Sequence, residues 1–304
     1  MSGPQLISLR KIWDRGVHNA FTDLVRFRSK WYCAFREADN HIGSAGKVRV
    51  LESVDGSAWT SVALLSEKGI DLRDPKLSVT PSGKLLLLMG GTYSRTRAGR
   101  RPRVALSDDG LTWTRPNPIL CEGDWLWRVT WFRSRVYGVS YRIHSPSTWS
   151  IVLHESADAI NYRPISHLKV PGKPNETTIR FVPSGQAVAL VRREGKAAAA
   201  WIGASRPPYT RWTWRSAGMR VGGPNFIIGP RSSMWAAYRR YDHTGPVTVI
   251  ARMSKTTLRP ILALPSGGDC SYPGLVWHRG LLWVSYYSSH EGKTSIYIAK
   301  IRLR

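Results

Sequence analysis

The sequence predicts an all-β chain, a six-bladed β-propeller with four-stranded antiparallel blades, and three observations carry that reading. Short β-branched and aromatic runs alternate with turns, with 14 Trp and 12 Tyr beside 27 Gly and 19 Pro in 304 residues. No stretch repeats apolar positions at i, i+3, i+4 and i+7 between caps, so no long amphipathic helix is expected. A serine ends a strand-like run at a near-constant interval: Ser53, Ser107, Ser156, Ser205 and Ser254.

The runs before these serines read "VRVLES", "PRVALS", "IVLHES", "WIGAS" and "VIARMS", and a sixth, "TSIYIAKI" (294–301), follows about one period later. They predict six equivalent strands. An interval of about 49 residues holds four short strands and their turns, and a unit that cannot bury its own faces must stack on its neighbours. Six such units around an axis make a propeller. A turn followed by an apolar run recurs in "TPSGKLLLLMGG", "VPSGQAVALVRR", "GPRSSMWAAYRR" and "WHRGLLWVSYYS", which predict the inner hairpins. The last unit has three strands before Arg304, so "QLISLRKIW" near the N-terminus is expected to supply its fourth and remove a free sheet edge. Residues 1–304 then form one domain.

After the serine, "SVDGSAW" and "SDDGLTW" share Ser-x-Asp-Gly-x-x-Trp, "SADAINY" keeps Asp158 and Tyr162, and the later copies keep little. Such decay suits a structural turn. Asp55 and Asp109 accept backbone N–H bonds, Gly56 and Gly110 supply positive φ, and Trp59 and Trp113 fill the space between sheets.

Forty-five Lys and Arg against 20 Asp and Glu give a formal charge of +25, which attracts polyanions. The densest basic stretch, "SRTRAGRRPR" (94–103), reads either as a solvated loop or as a seat for an anionic partner. No nucleic-acid motif accompanies the charge. The three cysteines, Cys33, Cys121 and Cys270, have no metal-ligand spacing, so neither a disulfide framework nor a metal site is expected. The start "MSGPQLISLRKIW" lacks the apolar run of a secretory signal and no segment reaches the ~18–20 apolar residues of a membrane span. The expectation is a cytoplasmic protein, or a secreted one if a leader has been removed.

Ser-x-Asp turns on a six-bladed propeller resemble the sialidase (neuraminidase) superfamily, over essentially the full chain. The segment "NETTIRFVPSGQAVALVRRE" (175–194) is similar to the fourth-blade segment of that family, in which an Arg follows a Glu by about 16 positions. The resemblance implies that Glu176 partners the nucleophile and that Arg192 belongs to an arginine cluster gripping a carboxylate, with Arg193 as the neighbouring alternative. "CSYPGLVWHRGLLWVSYYS" (270–288) is similar to the segment carrying the sialidase tyrosine, which makes Tyr272 the candidate nucleophile. A phenol of pKa ~10 attacks only if a carboxylate takes its proton, and sialidases are the tyrosine exception among glycosidases. "DLRDPKLSVTPSGKLLLL" (71–88) is similar to the family's second-blade segment, so Asp74, or else Arg73, faces the sugar.

The departures from the family are equally specific. Its blade-one arginine is missing from "HNAFTDLVRF" (18–27), and the glutamate that holds that arginine is replaced by Tyr286 or Tyr287. Arg36 is the nearest substitute cation, with Glu291 as the group that would orient it. The acid/base is expected in "READNHIGSAGK" (36–47), with Asp39 first and Glu37 and His41 behind it. Arg239 or Arg240 supplies the third guanidinium, since neighbours alternate along a strand. Trp127, Arg128, Tyr141 and Arg142 are candidate walls, with Trp131 in the core. The resulting expectation is a retaining exo-glycosidase for a terminal sialic acid or related acidic sugar, needing no cofactor and no metal. The alternative is a non-catalytic propeller that binds acidic glycans or other polyanions.

Overall fold

The computed structural model describes residues 3–303 apart from 97, 197 and 244 and apart from the side chain of residue 242. Each repeated run is the third strand of a four-stranded antiparallel sheet: Lys47–Ser53, Arg101–Ser107, Trp149–Ser156, Ala199–Ser205, Gly245–Met253 and Ser295–Arg302. The sheets are the six blades of a propeller. Five follow chain order from the axis outward; in the sixth, Gln5–Trp13 pairs with Ser295–Arg302 as the outermost strand, so the N-terminal segment closes the last blade as expected.

The repeated turns fold as their residue types require. Asp109 Oδ1 accepts the backbone N–H groups of Leu111 and Thr112 at 2.8 Å each, Ser107 Oγ receives Gly110 N at 2.8 Å, and Gly110 has φ 81°. Ser53, Asp55 and Gly56 repeat the pattern, and in the third copy Ala159 takes the glycine's place at φ 63°. Trp59 and Trp113 pack on the apolar clusters between blades.

The six innermost strands are His18–Phe27, Ile70–Val79, Asp124–Phe132, Lys173–Phe181, Gly222–Ile228 and Cys270–His278. Each carries a bulge in which two residues oppose one on the neighbouring strand: Phe21–Thr22, Asp74–Pro75, Trp127–Arg128, Asn175–Glu176, Gly223–Pro224 and Tyr272–Pro273. A bulge re-aims side chains that regular pleating would send to the sheet faces. Phe21, Asp74, Gly223 and Tyr272 take φ of 61°, 50°, 56° and 51° there, a left-handed conformation costing a non-glycine residue about 1–2 kcal/mol.

Carbonyls freed by the bulges are satisfied across blades. Thr22 Oγ1 donates to Tyr272 O at 2.9 Å, Thr178 Oγ1 to Pro224 O at 2.8 Å, and Asn225 Nδ2 to Pro273 O at 3.0 Å. Beside them Asp23, 1% exposed, accepts Arg128 Nη1 on both oxygens at 2.9 and 2.8 Å and Leu77 N at 2.7 Å, tying blades one, two and three together.

Candidate active site

Glu176 and Tyr272 stand on the bulges of blades four and six, so the barrel of inner strands brings together side chains 96 residues apart. The Tyr272 hydroxyl donates to Glu176 Oε1 at 2.7 Å. Arg192, opposite the Glu176 bulge on the next strand, donates Nη1 to Glu176 Oε2 at 2.7 Å and to the Tyr272 oxygen at 3.0 Å. Gly223 N adds a 2.9 Å bond to Oε2, and Arg192 Nη2 pairs with Glu194. Gly223 is required here because a Cβ on it would lie 2.7 Å from the Tyr272 ring. Arg193, the alternative, turns away to Pro171 O and Ala199 O.

Burial first, and then the Glu176 charge, push the Tyr272 phenol well above its ordinary pKa, with Arg192 partly offsetting them. Burial would lower Arg192, but Glu176, Tyr272 and Glu194 hold it well above its usual value. The hydroxyl therefore keeps its proton at rest, aimed at a carboxylate oxygen that can take it when the phenolic oxygen attacks an electrophile. Arg192 touches the oxygen where negative charge would develop.

Blades two and three supply one wall. Asp74 is buried, its Oδ1 has no hydrogen-bond partner among the described residues, and burial raises its pKa against the pull of Arg73 and Lys76. Burial also drives Tyr141 up to about 12. Arg100 lies 4.9 Å from the Tyr141 ring and 5.2 Å from that of Trp125. Arg73 is 5.6 Å from the Phe21 ring and 5.8 Å from Trp125. Trp127, 1% exposed, meets Tyr272 at 5.5 Å between centroids and serves as floor.

Blades one, five and six form the other wall. Arg239 donates Nε to Cys270 O at 2.8 Å and Nη2 to the Tyr287 oxygen at 2.8 Å, with its guanidinium 5.4 Å from the Tyr272 ring. Tyr287 donates to Asp269 Oδ1 at 2.7 Å, while His18 Nε2 and His41 Nδ1 share Oδ2 at 2.9 and 2.6 Å. Phe21 packs edge-on against Tyr272, Tyr287 and His41.

His18, His41 and Asp269 place three donor atoms within 4.8 Å of one another, the metal-like grouping among the described residues. His18 Nδ1 is buried without a hydrogen-bond partner among those residues, so binding a metal through Nε2 would strand a buried N–H. The cluster fits a hydrogen-bonded array better.

Several sequence expectations fall elsewhere. Arg36 does not face an incoming carboxylate: fully buried, it donates Nε to Asp71 Oδ1 at 2.8 Å and Nη1 to Asn40 O at 2.6 Å. Glu291 does not orient it, since Glu291 is half exposed on Lys11 at 2.6 Å. Desolvated Arg36 needs a neighbouring anion, and Asp71 supplies it. Asp39 is exposed and makes no hydrogen bond or ion pair among the described residues, whereas Glu37 is taken by Arg49 and Trp13. Arg142 pairs through Nε and Nη2 with Asp124, and buried Arg128 pairs with Asp23. Arg240 alternates to the face opposite Arg239. In the basic stretch, Arg103 binds Glu67 and Arg101 two backbone carbonyls, while residue 97 lies outside the described residues. The three cysteines are free thiols.

Sequence reasoning missed Asp269, His18, Phe21 and Gly223. Their only signal was position, since Asp269 precedes the tyrosine segment and the other three open inner strands or bulges. Chemistry rather than cleft size marks the site: surface clefts of about 630 and 520 Å³ beside Pro207–Pro208 include none of these residues.

No family model matches the chain, and no curated protein sequence matches it. Solved structures do. A Dyadobacter fermentans protein of unknown function superposes with a TM-score of 0.86 at 20% identity, covering 100% of both chains. An α-L-arabinofuranosidase of Fusarium graminearum, solved as a mutant in complex with an iminosugar inhibitor, gives 0.76 at 12% identity over 98% of both chains. Trypanosoma rangeli sialidase gives 0.76 at 10% identity over 99% of this chain and 60% of its own. What the chain shares with these solved structures, two of them glycoside hydrolases, is therefore the six-bladed fold.

Proposed function

We propose that the protein is a retaining glycoside hydrolase in which Tyr272, relieved of its proton by Glu176, attacks the anomeric carbon of a terminal sugar. The single observation that carries this is the 2.7 Å hydrogen bond from the buried Tyr272 hydroxyl to Glu176, with Arg192 touching both. A core tyrosine would satisfy its hydroxyl more simply; this one sits in a strained backbone, on a carboxylate, beside Asp74, whose Oδ1 has no hydrogen-bond partner among the described residues. Asp74 is assigned to a sugar hydroxyl.

The substrate reading shifts away from sialic acid. Arg239 spends Nε and Nη2 on Cys270 O, Asp269 and Tyr287, and blade one offers Phe21 where the sialidase resemblance calls for an arginine. A sugar without an anomeric carboxylate fits this cup better. The test is hydrolysis of 4-methylumbelliferyl α-L-arabinofuranoside, N-acetylneuraminide and neutral pyranosides by wild type, Tyr272→Phe and Glu176→Gln. The reading expects wild-type turnover of a neutral glycoside and a loss of at least about 10³-fold in both variants; turnover equal in all three would remove Tyr272 from the mechanism.

A second reading, polyanion binding, is favoured by a separate feature. Arg28, Arg133, Arg231 and Arg279 are exposed at inner-hairpin tips on the face opposite the cup, at φ of 46°, 55°, 54° and 47°. These are positions where Gly or Asn would be less strained. Replacing all four by Gly is expected to raise the melting temperature and to lower the salt needed for elution from heparin; unchanged elution would count against this face.

A further inference from the structure

The cup holds a second proton-handling pair that the Tyr272–Glu176 couple does not use. His41, in the loop over residues 39–46, bonds Asp269 Oδ2 through Nδ1 at 2.6 Å. Asp269 is itself fixed: Tyr287 donates to Oδ1 at 2.7 Å, and His18 Nε2 reaches Oδ2 at 2.9 Å. The proton positions follow from these partners. Bonds from His18, His41 and Tyr287 outweigh burial and hold Asp269 ionised, so it only accepts. His18 Nδ1 is buried without a hydrogen-bond partner among the described residues, which leaves its proton on Nε2 facing Asp269. His41 likewise directs an Nδ1–H at Oδ2, and its Nε2 is the nitrogen left for a substrate. Its side chain is 44% exposed, while those of His18 and Asp269 are 12% and 27% exposed. The Phe21 ring meets both the imidazole and the Tyr272 phenol, with centroids 5.0 Å from each, so His41 and the nucleophile flank one phenyl group.

We infer that His41, oriented by Asp269, is the general acid and base of this cup, an inference that rests on the glycosidase reading above. In the first step, which starts with His41 protonated on both ring nitrogens, the bond from the anomeric carbon to the leaving oxygen breaks, the bond to the Tyr272 oxygen forms, the phenolic proton passes to Glu176, and the His41 Nε2 proton passes to the leaving oxygen. In the second, water attacks the anomeric carbon and gives a proton to His41 Nε2, while the Tyr272 oxygen leaves and recovers its proton from Glu176. The enzyme ends as it began. A carboxylate fixing one imidazole nitrogen so that the other handles protons is a recurrent catalytic device. Location separates His41 from the two aspartates. Asp39 is exposed and makes no hydrogen bond or ion pair among the described residues, and Asp74, 7% exposed, lies in the wall around the sugar. His41, on the 39–46 loop, is far more exposed than Tyr272 or Glu176, which suits a group that meets the departing aglycone.

The test compares 2,4-dinitrophenyl glycosides, whose leaving group needs no proton, with 4-methylumbelliferyl glycosides, whose leaving group benefits from one, using α-L-arabinofuranosides and N-acetylneuraminides. For His41→Ala we expect kcat/KM to fall about 10²–10³-fold on the methylumbelliferyl substrate and to change little on the dinitrophenyl one, with added imidazole restoring part of the lost rate. Asp269→Asn, altering a positioning residue, should show the same leaving-group dependence in weaker form. His41→Gln keeps a donor for Asp269 but cannot relay the proton, so it should behave like His41→Ala if proton transfer is the role. Equal losses on both leaving groups, or none, would overturn the inference while leaving the Tyr272 reading intact. Absence of wild-type turnover on every glycoside would overturn both.

Discussion

Phe21 stands edge-on to Tyr272 with ring centroids 5.0 Å apart, on the blade-one bulge where the sialidase resemblance calls for an arginine. A phenyl edge offers no donor to a carboxylate. The sialidase inhibitor DANA should therefore bind wild type weakly, and Phe21→Arg should tighten it about tenfold or more, as one charge-assisted hydrogen bond would. Isothermal titration of both proteins decides this; unchanged affinity would mean that position 21 does not reach the ligand.

Lys76 is buried, with Nζ 4.5 Å from the Trp127 ring and 3.1 Å from Pro75 O. Burial, then Arg128, lower its pKa from 10.5 to about 8. Between those values the unfolded chain binds the proton more tightly, so stability rises with pH; below about 8 the penalty is present in full. Relative to Lys76→Met, wild type should gain about 2–3 kcal/mol between pH 7 and pH 10, read from urea unfolding. A pH-independent difference would place the ammonium in water.

Asp23 is the only carboxylate bonded to Arg128 among the described residues, and both are buried. Asp23→Ala should cost about 3–5 kcal/mol in denaturant unfolding, because it leaves a buried guanidinium unpaired. The double variant Asp23→Leu/Arg128→Met should recover most of that. If the double variant is as unstable as the single one, packing rather than charge holds these blades.

Asp109 separates turn stability from chemistry. Backbone N–H bonds from Thr112 and Leu111 lower its pKa to about 2. Its contribution is present at neutral pH and lost as pH falls from about 4 toward 2. Asp109→Ala should lower the melting temperature at pH 7, lose that deficit near pH 2, and leave glycoside turnover unchanged. A drop in turnover with retained folding would contradict the purely structural role of this turn.

Composition, turn chemistry and the recurring serine determined the propeller, because each is local. A Ser-x-Asp-Gly turn closes on its own backbone wherever it occurs, and a period of about 49 residues has room for one four-stranded blade. Glu176, Arg192 and Tyr272 were legible for a related reason, since each is tied to a segment with its own pattern. The tertiary structure decided which of two neighbouring residues faces the axis: Arg192 rather than Arg193, Arg239 rather than Arg240, Asp74 beside Arg73. Alternation requires only that one of each pair point inward, and the register on the neighbouring strand chooses which: Arg192 lies opposite the Asn175–Glu176 bulge, Arg239 pairs with Gly222, and Asp74 is itself a bulge residue. Pairings made across blades were equally out of reach. Asp269 meets His41 and His18 from 228 and 251 positions away, and Arg36 finds Asp71 rather than Glu291, because closure of the ring, not proximity in the chain, sets which charges share a desolvated space.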